Sequence, residues 1–123
     1  MLQQSSWFGP IPAIPSGTDS AGQFGSPETL TIATGVAAKV GGQRNLLLAG
    51  EGGLDDQLDN ITGYAEGDMI VIGPASDTVT ITVADSANMN LQGADFTMNN
   101  VYDSMVLQNL GSDKWKELSR SAN

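Results

Sequence analysis

NITGYAEGDMIVIGPASDTVTITVADSANMNLQGADFTMNNVYDSMVLQNLGSDKWKELSRS, residues 60–121, is a run of short apolar segments cut by Gly, Asn, Asp and Ser. From Asp77 the alternation is strict, with Val79, Ile81 and Val83 on one side and Thr78, Thr80 and Thr82 on the other. A period of two marks a strand with one buried face, because successive side chains leave opposite sides of the pleat. Residues 69–72 are continuously apolar, as in a strand covered on both faces. Gly73-Pro74-Ala75-Ser76 is read as its end, since proline lacks the donor that a central strand requires. Met89 with Leu91, Phe96 with Met98, and Met105 with Leu107 repeat the spacing of two, and Gly111-Ser112-Asp113 turns the chain into residues 115–118.

A loose repetition runs through this stretch. Gly67-Asp68-Met69 and Tyr102-Asp103-Ser104-Met105 both lead from an acidic residue into Met and two further aliphatics, and a strand beginning at Asp77 or Asp113 follows each. The offsets are 34 to 36 residues. Two copies do not define a solenoid, which ordinarily takes three or more. A hairpin-based barrel or sandwich, or a short β-prism shared between subunits, accommodates the same pattern.

Upstream the signals weaken. Leu30 and Ile32 alternate with Thr29 and Thr31, predicting a first strand over 29–36. Residues 34–42 are ambiguous, because Gly35 and Gly41-Gly42 leave a helical turn little length. Leu46, Leu47 and Leu48 fit a short strand or a buried turn. Residues 50–60 read mainly as a loop, with Leu54 and Leu58 at the spacing of one helical turn. Residues 1–28 hold Pro10, Pro12, Pro15 and Pro27 among four glycines, which rules out a stable helix. Trp7, Phe8, Ile11, Ile14 and Phe24 are more apolar bulk than a solvated linker carries. They are read as the contacts of an extended arm that docks on a neighbour.

Composition narrows the function. The chain has 123 residues with 15 Gly but only three Phe, two Tyr and two Trp, so one copy has few large anchors for a core. Association with other copies or a larger object would relieve that shortage. Five basic against 14 acidic residues give a net charge of −9, the wrong sign for nucleic-acid binding. Residues 61–100 carry five acidic residues and no cation, a solvated surface or one facing a basic partner. With no Cys and no His there is no disulfide, thiol nucleophile or imidazole base. No apolar run reaches membrane-spanning length, and the first residues lack the pattern of a signal peptide.

Candidate sites are sparse. Asp55, Asp56 and Asp59 with Glu51 are acidic enough to suggest calcium, but they lack the ordered spacing of a calcium loop. Ser5, Ser6, Ser119 and Ser121 have no His to activate them, and the glycine pairs lack the Walker spacing and its Lys. An enzyme, a cofactor and a metal are therefore not expected. Trp115 lies between Lys114 and Lys116, so a strand there turns the indole one way and both ammonium groups the other. The same alternation sets Glu117 on the indole's face, towards an edge that water reaches, while Trp115 itself suits either the domain's own core or a subunit interface.

The segments GDMIVIGPASDTVTITV, NMNLQGADFTM and SMVLQNLGSDKWKELSRS resemble a module of tailed-bacteriophage virion proteins. That module alternates a GD-x-I-x-I strand with a DTVTI strand and closes on a W-x-E-x-SRS ending, here Trp115-Lys116-Glu117-Leu118-Ser119-Arg120-Ser121. The resemblance covers about residues 60–121. It implies a homotrimeric structural β-domain on the virion, in head fibres, tail fibres or capsid cement proteins. The combined expectation is all-β: a small antiparallel barrel or sandwich, or a β-prism-like trimer, over residues 29–121, behind an anchoring arm of residues 1–28. Packing of the domain or trimer is assigned to Ile70, Ile72, Val79, Ile81, Val83, Phe96, Met105, Leu107, Trp115 and Leu118. The partners expected are further copies and the major capsid protein, on the capsid surface, with no nucleic acid and no membrane. A head- or tail-fibre adaptor that binds glycans is the alternative, with Asp55, Asp56, Asp59 and Tyr64 as its nominated group.

Overall fold

The computed structural model describes residues 24–39 and 41–123. The chain is all-β. Its strands are β1 (Glu28–Ile32), β2 (Val36–Ala38), β3 (Asn45–Gly50), β4 (Asp56–Leu58), β5 (Asn60–Thr62) and β6 (Met69–Pro74). There follow β7 (Ile81–Val83), β8 (Met89–Asn90), β9 (Phe96–Met98), β10 (Ser104–Gly111) and β11 (Lys114–Ser121). A six-stranded sheet has the order β1-β3-β6-β10-β11-β8, β2 pairs with β5, and a third sheet has the order β4-β7-β9.

The expected antiparallel arrangement is corrected. Among the described residues, β1–β3, β3–β6, β2–β5, β4–β7 and β8–β11 are parallel, and only β6–β10, β10–β11 and β7–β9 are antiparallel. Alternation does not report strand direction, because side chains have a period of two in both. The parallel pairs come from coils laid one on another. Val36 faces Asn60, Asp56 faces Ile81, Asn45 faces Val71 and Met89 faces Trp115, spacings of 24 to 26 residues. The first coil is shorter, with Glu28 opposite Leu46. There β1 reaches β2 through a tight turn at Thr34 and Gly35, both at positive φ, bridged between Ala33 and Val36. The 34-to-36-residue repetition is therefore not the coil period. Its two members, β6 and β10, lie side by side and run in opposite directions.

Several local expectations change for physical reasons. Residues 34–42 contain β2 rather than a helical turn, and residues 45–50 are strand. Residues 50–60 are not mainly loop: a 3-10 turn at Glu51–Gly53 rounds a corner and β4 follows. The strand expected over 78–83 shortens to Ile81–Val83, although Val79 is still buried. Pro74 ends β6 instead of breaking it earlier. Val71 and Ala75 donate towards the β3 side, to Arg44 and Leu48, so the even-numbered donors face β10. Pairing with β10 ends at Ile72 opposite Met105, so the donor that Pro74 lacks has no acceptor waiting.

The three sheets surround one apolar core. β3 shows how it is built: Leu46 and Leu48 are buried while Asn45, Leu47 and Ala49 are half-buried outside. β6 repeats this with Ile70 and Ile72, and β10 with Met105 and Leu107. Ile81, Val83, Phe96 and Met98 supply the opposite wall. The β10–β11 hairpin turns on Ser112 and Asp113, both at positive φ, the two-residue geometry that follows strand twist.

Trp115 is wholly buried. Its Nε1 donates to the Ile61 carbonyl at 2.9 Å, and its ring meets Tyr64 edge-on at 5.6 Å. One side chain thereby ties the closing hairpin to β5. Replacing Trp115 with Ala removes that packing and strands a buried carbonyl, and is expected to cost about 3–5 kcal/mol. Trp115→Phe, which keeps most of the volume, should cost clearly less. Urea unfolding of both variants beside the wild type checks this: equal midpoints for the two variants would show that ring volume contributes nothing, and a Trp115→Phe midpoint equal to wild type would show the same for the indole nitrogen.

Candidate functional site

Three loops stack on one corner of the coil. Residues 51–55 lead from β3 to β4, residues 75–80 from β6 to β7, and residues 99–103 from β9 to β10. Carboxylates hold them together. Asp55 Oδ1 accepts the Thr80 amide at 2.8 Å, the Asp56 amide donates to the Thr80 carbonyl at 3.1 Å, and Asp77 Oδ1 accepts the Val101 amide at 2.7 Å. The tips of the outer two loops carry large side chains into solvent: Leu54 is 68 % exposed, Val101 43 % and Tyr102 76 %.

The last of these loops is fixed at nearly every residue. The Tyr102 amide donates to Asn100 Oδ1 at 2.8 Å, and the Tyr102 carbonyl accepts Asn123 Nδ2 at 2.7 Å. Asp103, only 3 % exposed, accepts the amides of Asn99, Asn100 and Asn123 at 2.9, 3.1 and 2.6 Å. Burial works to raise the Asp103 pKa, and the amides of Asn123, Asn99 and Asn100 outweigh it, leaving the carboxyl below its usual range. An ionised acceptor is what the loop is wound around.

The closing motif contains a second carboxylate of this kind. Glu117 is buried on the face of Trp115, not at a wet edge as its alternation suggested. Arg120 meets it with two bonds, Nε to Oε2 at 2.7 Å and Nη2 to Oε1 at 2.8 Å. The Gln92 amide adds a third at 2.7 Å, and Arg120 also donates to the Ala94 carbonyl and lies 4.7 Å over the Phe96 ring. The Arg120 bonds hold Glu117 below the ordinary carboxylate range against the effect of burial, helped by the Gln92 amide. The Glu and Arg of the ending are thus a clamp that fastens residues 92–96 to β11.

The residues singled out in the sequence are dispersed. Ile70, Ile72, Val79, Ile81, Val83, Phe96, Met105, Leu107 and Trp115 all lie in the core of a single copy. Leu118 does not; it is 37 % exposed. Trp115 and Glu117 face inward, so Leu118 faces out with Lys116, and because Val106 pairs with Ser119 and Leu107 with Glu117 it is the unpaired residue of a bulge. Trp7, Phe8, Ile11 and Ile14 lie outside the described residues, whereas Phe24 is half-buried at their start.

Tyr64 is buried, donates its hydroxyl to the Gln43 carbonyl and sits under the Lys39 ammonium. Burial first, then Glu28 and Asp68, push its pKa up to about 12 against the pull of Arg44. It is not an exposed platform for a sugar ring. Asp55 accepts the Thr80 amide, Asp56 the Gln57 amide and Asp59 the Gln57 side-chain amide, so each carboxylate is engaged by a different N–H group. Among the described residues no group of three or more such side chains converges as a metal site would.

Sequence reasoning missed Leu54, Val101 and Tyr102. The available signal was the flanking chemistry: Asn99-Asn100 before and Asp103 after an apolar pair, residues that close turns with their own side chains. No family model matches the chain, and no curated protein matches it significantly.

Asp103 and Glu117 both have folded pKa values below their unfolded ones. Their contribution to stability is complete above the unfolded value and is lost as pH falls through the folded one. The urea midpoint should stay level from neutral pH to about pH 5 and fall below about pH 4. Asp103→Asn should lower the neutral midpoint and flatten that fall. A variant that keeps the full acid limb would show that Asp103 does not drive it.

Proposed function

We propose that the chain is a structural, non-enzymatic virion protein: a homotrimer that cements the capsid lattice from its outer surface. The observation that carries the reading is the outer face of the six-stranded sheet. Val71 and Val106 are paired across β6 and β10, and Leu47 lies one strand further out on β3. All three are half-buried, as is Met69, and Leu118 sits at the bulge beside them. A sheet face in water ordinarily reads polar at these positions. Here Leu47, Met69, Val71 and Val106 make an apolar patch bordered by Gln108 and Lys116, which suits packing against another copy.

The copy number of three and the virion setting follow from the resemblance to phage virion modules. In this reading the arm, with Trp7, Phe8, Ile11 and Ile14, enters the coat lattice. Joining three arms in one trimer raises their effective concentration there, so several contacts must break together before the protein leaves. Asp103 and Glu117, the two tuned carboxylates, are engaged in holding the chain's own backbone, which supports a mechanical role.

Light scattering of the purified protein should give three times the chain mass of 12.8 kDa. Leu118→Lys, at an exposed position, and Val71→Glu should each lower that mass while circular dichroism keeps its strand signal. Wild-type protein that is monomeric at high concentration overturns the trimer. For the cement role, capsid shells assembled without this chain should lose resistance to heat and low salt. Shells that resist equally well overturn it.

A further inference from the structure

We propose that the corner carrying Leu54, Val101 and Tyr102 is a docking ridge for a cationic protein surface, a shallow apolar socket bordered by Lys or Arg. On the reading above, that surface belongs to the coat lattice, so the inference rests on the cement role and adds a second contact beside the arm.

The ridge has the properties of an anchor. Tyr102 presents most of its ring to water, yet its amide, its carbonyl and the carboxylate next to it are all bonded. Val101 is held in the same way by Asp77 across the loop boundary. Little further order is lost when such a side chain is buried by a partner, and rigid tyrosines are prominent among residues that dominate interfaces. Leu54 belongs to the same corner because Asp55 and Asp56 are bonded to Thr80, on the same loop as the Asp77 that holds Val101. The three exposed side chains thus sit on two loops that are both bonded to the loop between them.

Charge selects the partner. The side chains charged at neutral pH in residues 51–55, 75–80 and 99–103 are Glu51, Asp55, Asp77 and the buried Asp103, all acidic, and Asp56 follows at the start of β4. A second copy offers little to meet them. Arg44 is paired with Asp68, Arg120 with Glu117, and Lys39 lies over Tyr64, which leaves Lys114 and Lys116 on β11. A basic surface of a different protein is the complementary one.

The test uses capsid shells lacking this chain as the probe and three full-length proteins: wild type, Tyr102→Ser with Leu54→Ser, and Glu51→Gln. Trimer mass and circular dichroism are checked first, because the substituted positions are exposed and should leave both unchanged. The double variant is expected to bind shells roughly tenfold or more weakly. Glu51→Gln should bind more weakly than wild type at low salt and equally at high salt. A photo-reactive phenylalanine analogue in place of Tyr102 should crosslink to the coat protein. Wild type and double variant binding equally well would remove the ridge and leave the cement role standing. Crosslinks to a second copy of this chain would overturn the proposed partner. Wild type failing to bind shells would sink the cement role and the ridge together.

Discussion

Stacked strands must end somewhere, and an end leaves backbone donors and acceptors unpaired and a core open to water. This chain meets that constraint at one end by reversing direction. β9 runs back along β7 and β10 along β6, after which β11 turns again beside β10. The second reversal places β11 parallel to β8, and Trp115 then lies over the core with its nitrogen on β5. The rest of the architecture follows from that closure. The coils can stay parallel and repetitive because the last quarter of the chain departs from them.

Closing corners with so many loops requires acceptors for stranded amides, and the acidic residues supply them. Asp55, Asp68, Asp77, Asp85, Asp95, Asp103 and Glu117 each accept a backbone N–H outside the strand ladders. Composition alone offered a solvated surface or a basic partner as reasons for the negative charge. The structure adds a third: carboxylates with short reach serve as turn fasteners, each replacing a ladder bond that the corner cannot make. Where burial accompanies this use, as at Asp103 and Glu117, ionisation becomes part of the fold's stability.

The inner faces of the strands were legible in the sequence because burial imposes a period of two on residues such as Ile70, Ile72, Met105 and Leu107. Direction and stacking were not. A parallel neighbour 24 to 26 residues away and an antiparallel neighbour across a short turn select the same alternation. The strand before Gly73 runs on to Pro74 because the cost of a proline depends on whether a strand lies beside it at that residue, and Leu118 stays outside because Trp115 and Glu117 take the inward positions. The corner was harder still. Tyr102 is fixed by Asn123 and Val101 by Asp77, partners 21 and 24 residues distant, and Glu117 is buried through Gln92, 25 residues before it. No local window contains such pairs.

Coils that touch only their immediate neighbours make length an independent variable. Each turn of about 25 residues raises the stack by the spacing of adjacent strands, roughly 4.8 Å, without altering the fit of any other turn. The closing hairpin seals one end. At the other, β1 has a strand on one side only among the described residues. The two edges of the six-stranded sheet are therefore unlike: five-residue β1 on one side, and on the other the two-residue β8 beside the closing hairpin.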